Sequence, residues 1–231
     1  MLNHTGALAV LDHHIGLNWD DGATLMRVGA QVRYRYGAFA TVQTLRVTAS
    51  ARCSDEPLGF EARNGDVHAT WVWTELAPGF VAQLSIVNEG DDEVLLEGVD
   101  VLRIDAAFGG LFNVGAPPGL WRAAQPGRGV LKWEQWTPDP AASFQRMGEL
   151  LMQPSASNRL APPALLFRGL SNHAEELALP LRFELSAANG KFERFAATCV
   201  MDERPLAPGV TLVSPEVWVV AGDDARELRK I

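Results

Sequence analysis

Short runs of alternating apolar and polar residues dominate this chain, and they constrain its fold class more than any other feature. Residues 67–74 (VHATWVWT) put Val67, Ala69, Trp71 and Trp73 on one face. After the turn LAPG (76–79), residues 80–87 (FVAQLSIV) alternate again, and a third run covers 94–104 beyond the loop NEGDD (88–92). A period of two marks a half-buried strand. The Pro-Gly and Asn-Glu-Gly signals between such runs predict antiparallel neighbours. The same pattern recurs over 24–36, 41–48, 164–170, 178–185, 192–200, 210–213 and 217–220. About a dozen or more short strands at this spacing predict an all-β sandwich. Sustained helical periodicity is missing. One short helix is expected over 142–152, where Phe144, Met147, Leu150 and Leu151 fall on one face.

Size and charge bound the function. The 231 residues, 47% hydrophobic and 21% charged, are those of a globular protein with one large domain or two small ones. A net charge of -8 and a pI of 5.1 argue against nucleic-acid partners. No apolar run approaches the roughly 18 residues of a membrane span, so no membrane partner is expected. The start, MLNHTGALAV, lacks a basic region followed by a long apolar one, so a cytoplasmic location is expected. Cys53 and Cys199 form no CxxC and no disulfide framework. Both are expected as buried thiols in a reducing compartment.

Catalytic motifs are absent. Gly127-Arg-Gly129 lacks the Gly-Lys pair of a phosphate loop, and neither G-x-S-x-G nor H-E-x-x-H occurs. His13 and His14 are adjacent on an expected strand, so they point to opposite faces and cannot share a metal. The pairs Asp20-Asp21, Asp91-Asp92, Asp202-Glu203 and Asp223-Asp224 sit beside turn formers and read as turns or caps. No catalytic residue, metal or cofactor is therefore assigned.

The seven tryptophans divide. Trp71, Trp73 and Trp218 lie on expected strands and are assigned to the core. Trp121, Trp133 and Trp136 lie in a Gly-, Pro- and Trp-rich excursion over 109–140, together with Arg122, Lys132, Glu134 and Gln135. Long ordered loops of this kind often carry function. Aromatic faces stack on sugar rings, and Glu or Gln can bond sugar hydroxyls. Equally, such rings can pin a long loop to a sandwich. Trp121, Trp133, Glu134, Gln135 and Trp136 are thus candidates for a sugar-binding or domain-facing surface. Near the end, residues 223–231 (DDARELRKI) open as a helix with Asp223 as the expected cap.

Two segments carry a family resemblance. They are LLFRGLSNHAEELAL (165–179) and RPLAPGVTLVSPEVWVVAGD (204–223), supported by the strand–Asn–loop–strand pattern of 80–104 and by KWEQWTP (132–138). Together they resemble the N-terminal domain of family 36 glycoside hydrolases, the α-galactosidase and raffinose-synthase group, best over 160–231. The resemblance implies a large antiparallel β-supersandwich, the galactose-mutarotase-like fold, over residues 1–222. Residues 223–231 would then start a helix leading into a (β/α)8 barrel. In that family the barrel carries both catalytic Asp residues, and no position here matches them, so this chain alone is not expected to hydrolyse glycosides. The implied partners are that barrel, galactosides at a pocket rim, and a second copy in a homo-oligomer. Two other functions compete: a stand-alone carbohydrate-binding module, and a mutarotase-like epimerase. The epimerase would need a His acid and a carboxylate base in one groove, with His68, or His173 with Glu175, as nominees.

Overall fold

Alternation along the sequence becomes alternation across two sheets. The computed structural model describes residues 6–11, 13–20, 23–124, 131–135, 144–155, 164–170 and 179–230. Within them the strands are Gly6–Leu11 (β1), His14–Trp19 (β2), Thr24–Arg35 (β3), Gln43–Val47 (β4), Arg52–Asp55 (β5), Leu58–Asn64 (β6) and Val67–Leu76 (β7). Next come Gly79–Asn88 (β8), Val94–Asp105 (β9), Leu111–Asn113 (β10), Trp121–Ala124 (β11), Trp133–Gln135 (β12), Phe144–Met147 (β13) and Glu149–Pro154 (β14). Ala164–Leu170 (β15), Leu181–Ala188 (β16), Lys191–Cys199 (β17), Arg204–Leu206 (β18), Thr211–Val213 (β19) and Glu216–Gly222 (β20) complete the set. The single α-helix among the described residues is Ala225–Leu228 (α1).

The first sheet runs β1-β2-β3-β9-β17-β16-β13, with β4 and β10 also on β3 and β18 on β9. The second runs β12-β11-β14-β15-β20-β8-β7-β6-β5, with β19 on β8. Every described pairing is antiparallel. The expected all-β supersandwich is the architecture observed. The β7–β8 hairpin pairs without a slip from Val67 opposite Asn88 to Leu76 opposite Gly79.

One core fills the space between the sheets. Trp71 and Trp73 are buried there edge to face, with ring centroids 5.1 Å apart. Phe167 of the second sheet meets Phe195 of the first at 4.5 Å, and Phe112 and Phe183 extend the cluster. Each such ring contributes about 2–3 kcal/mol by leaving water.

The second sheet is buried on both faces near its β11 end. Leu150, Met152, Leu165, Phe167, Val217 and Val219 face the main core. Their alternates Leu151, Leu166 and Val220 form a second cluster with Ala225 and Leu228 of α1. Arg168 fixes the helix by donating to the Arg229 carbonyl at 2.9 Å while bonding Glu149 at 2.7 Å. This second face explains why residues 164–167 (ALLF) are apolar without a break.

Two sequence motifs have local physical causes. Buried Asn88 donates to the carbonyls of Asp92 (2.7 Å) and Leu206 (3.0 Å) and accepts from Gly90 N, which sets the loop after β8. In the Ser-Pro-Glu segment, β19 and β20 both pair with β8, and Ser214 sits in the break between them. Its Oγ accepts from Leu84 N at 2.9 Å, so the backbone donor stays satisfied where the ladder is interrupted.

Several expectations are corrected. Residues 142–152 are not a helix. Gly148, at φ 70°, separates β13 from β14, and each strand follows a period of two. Trp218 is half-buried on the outer face, because Val217 and Val219 already point inward. Cys53 is exposed on β5, whereas Cys199 is buried. His13 lies in the β1–β2 turn at φ 64°, not on a strand. The cap of α1 is Asp224, whose carboxylate accepts from Arg226 N at 2.7 Å.

Candidate functional site

The excursion over 109–140 divides into two parts with different roles. Its second part forms the edge of the second sheet, where β11 pairs with β14 on one side and β12 on the other. Trp121 heads β11 and is fully buried in the main core, with Nε1 donating to the Ala116 carbonyl at 3.1 Å. It pins the loop to the sandwich and offers no face to a ligand, which removes it from the candidate sugar surface.

The neighbouring candidates are partly committed to structure. Gln135 donates Nε2 to the carbonyls of Gly119 (2.7 Å) and Trp121 (3.1 Å), and its Oε1 accepts from Ser155 Oγ at 2.7 Å. Both amide hydrogens are thereby used. Glu134 pairs with Arg146 of β13, so a charged contact joins the edges of the two sheets. Trp133 is half-buried against the second cluster, and the Arg122 guanidinium lies 5.1 Å from its ring centroid. With its amide turned so that oxygen faces the guanidinium, Gln153 also accepts from Arg122 Nε at 2.9 Å. Trp136, the last of these candidates, lies outside the described residues.

The first part of the excursion lines a cavity of about 980 Å³. One wall is β10 with residues Val114 to Pro118, and the other is the β16–β17 hairpin. Phe112 and Phe192 give it apolar surface, while Asn113, Asn189, Lys191 and Glu193 bring polar groups. An apolar cleft with a few convergent polar groups is the usual form of a small-molecule site. None of Trp121, Trp133, Glu134 and Gln135 lines this cavity, although its wall belongs to the same excursion. The cavity needs the hairpin tip at Asn189-Gly190, which is distant in sequence and carries only a turn signal. Trp121 Nε1 bonds the Ala116 carbonyl on this wall, so the ring sits behind the cavity without lining it.

Among the other nominees, His68 does meet carboxylates. Its Nδ1 lies 3.2 Å from Glu89 and its Nε2 lies 3.4 Å from Glu61. All three stand on the outer face of β6–β8, where the Glu61 side chain is 49% exposed. This is an open surface rather than the groove an epimerase requires. His173 and Glu175 lie outside the described residues. Among the described residues no three His, Cys, Asp or Glu side chains are placed to share a metal ion. No helix there is long and apolar enough to cross a membrane.

Two large antiparallel sheets with an apolar cleft at one end form a β-supersandwich scaffold. No family model matches the sequence, and no curated protein matches it detectably. Solved structures do share the fold. The GH36 α-galactosidase AgaB of Geobacillus stearothermophilus superposes with a TM-score of 0.57 at 10% identity, covering 84% of this chain and 30% of its own. AgaA of the same organism gives 0.54 at 11% identity, with the same coverage. A polysaccharide lyase gives 0.56 at 12% identity, over 99% of this chain and 34% of its own. The fold likeness to family 36 α-galactosidases expected from the sequence is thus borne out. The chain spans about a third of the length of these structures.

Proposed function

We propose that this chain is the non-catalytic N-terminal domain of an α-galactosidase-like glycoside hydrolase. It would support a catalytic barrel, the rim of its sugar pocket, or contacts between subunits. The observation that carries this reading is the fold shared over 84% of this chain but only 30% of the α-galactosidase AgaB. In this reading the half-buried Trp133 and the exposed Glu134, on β12 at the end of the second sheet among the described residues, face the barrel or the pocket rim. The chain alone should leave a nitrophenyl α-galactoside unhydrolysed. Hydrolysis by the purified chain would overturn the non-catalytic role.

The 980 Å³ cavity favours a second reading, a carbohydrate-binding module acting on its own. Galactose or raffinose should then change the tryptophan fluorescence in the millimolar range. No change would remove this reading. Among the described residues, the epimerase reading has the open His68 cluster in its favour. Polarimetry on fresh α-galactose showing the spontaneous rate alone would remove it.

A further inference from the structure

The outer face of the first sheet carries a second, smaller depression of about 160 Å³. Arg27, Arg46, Arg103, Asp105 and Phe108 stand around it over a floor that includes Gly29 and Gln31. Arg103 is already spent: it bonds Asp100 at 3.1 Å and Asp105 at 2.6 Å. Asp105 is spent too, since its second oxygen accepts from Ala107 N at 3.0 Å.

Arg27 and Arg46 are different. Among the described residues, no carboxylate lies within ion-pair reach of either, although Arg35, Arg52, Arg63 and Arg168 each have one. Both reach Phe108, one at its ring and the other at its backbone. Arg46 lies 4.1 Å from the centroid of its ring, and Arg27 Nη1 reaches its carbonyl at 3.4 Å. Phe108 itself is 54% exposed, so its burial does not account for the clasp.

The backbone is shaped to hold this arrangement. Arg27 is the extra residue of a bulge, with Ile15 opposite Val28 and Gly16 opposite Met26. Its φ is 54°, a region that costs a long side chain energy and that clusters at functional positions. A Cβ on Gly109 would stand 2.7 Å from Arg27 Nη1, so that glycine leaves room for the guanidinium. Two guanidinium forks with no carboxylate partner among the described residues, beside an aromatic ring in a chain of net charge -8, form a local site for a negative group.

We propose that the Arg27–Phe108–Arg46 clasp binds the carboxylate of an acidic sugar, with the sugar ring against Phe108. The depression suits one charged substituent, because whole ligand pockets usually reach about 300 Å³ or more. The anion part stands on the two arginines; the sugar part rests on the carbohydrate reading proposed above.

The test is a titration of the ¹⁵N-labelled chain at low ionic strength, following the arginine Nε–H resonances. D-galacturonate is the probe, D-galactose the neutral control and sodium sulfate the inorganic control. Galacturonate should shift the Arg27 and Arg46 signals saturably, and galactose should not. Arg46→Gln should weaken that binding by about tenfold, the scale of one charge-assisted contact. Arg27→Asn, which tolerates the positive φ, should do the same. Added salt should weaken it further. No shift with galacturonate, or equal shifts with galactose, would overturn the site. Sulfate binding as tightly as galacturonate would mark an inorganic oxyanion site only and overturn the sugar assignment. Neither outcome bears on galactoside hydrolysis by a parent enzyme, so this failure and that of the proposed function are read separately.

Discussion

Gln135 donates its side-chain amide to the carbonyl of Trp121 at 3.1 Å and so ties β12 to a residue whose ring is fully buried in the core. The same amide bonds Gly119 and Ser155. Gln135→Ala should therefore lower stability by about 1–2 kcal/mol, a modest sum because the site is partly solvated. Urea denaturation followed by tryptophan fluorescence measures it. A change of only a few tenths would mean that β12 is not held by this amide.

Ser214 satisfies the Leu84 amide in the break between β19 and β20. Ser214→Ala would leave that buried donor without an acceptor. The expected loss is about 1–3 kcal/mol, with hydrogen exchange at Leu84 rising above that of its β8 neighbours. Unchanged exchange at Leu84 would contradict the role assigned to the hydroxyl.

The two thiols should behave differently. Burial, reinforced by the nearby Asp100 carboxylate, pushes the Cys199 pKa from 9.0 up to about 12, whereas Cys53 is exposed. One thiol per native chain should react with a disulfide reagent at neutral pH, and the second only on unfolding. Tyr34 is raised in the same direction, from 10.0 to about 12, first by burial and then by Tyr36 and Asp66. Both groups hold their proton more tightly when folded than unfolded. Their contribution is fully present below pH 9 and is lost as pH rises, from 9.0 to about 12 for Cys199 and from 10.0 to about 12 for Tyr34. The urea midpoint should fall across that alkaline window. Two thiols reacting at equal rates in the native chain would contradict the burial of Cys199.

The legible part of this fold is the part where one face of a strand is wet. In β7 and β8 polar residues interrupt the apolar ones on one face and the strands appear where that pattern places them, whereas β16 runs to Ala188, three residues past the expected run over 178–185. The pattern misleads where a strand breaks. Phe144, Met147, Leu150 and Leu151 mimic a helical face only because Gly148 separates two strands. It also misleads where a sheet is covered twice, since Trp218 has apolar neighbours yet faces outward. The site was half legible. The excursion was recognisable from its Gly, Pro and Trp content; of its described tryptophans, Trp121 lies in the core and Trp133 packs against the second cluster. The cavity wall is instead made by β10 meeting a hairpin about 75 residues away, and no local period encodes that meeting.

The central claim is that this supersandwich serves an α-galactosidase-like hydrolase. The most direct measurement is α-galactoside hydrolysis by the complete product of the gene that encodes this chain, with and without residues 1–231. The account predicts that the complete product hydrolyses a nitrophenyl α-galactoside, and that removing the domain lowers its thermal midpoint or its turnover. A complete product with no such activity, alone or with any barrel protein encoded beside it, would contradict the account.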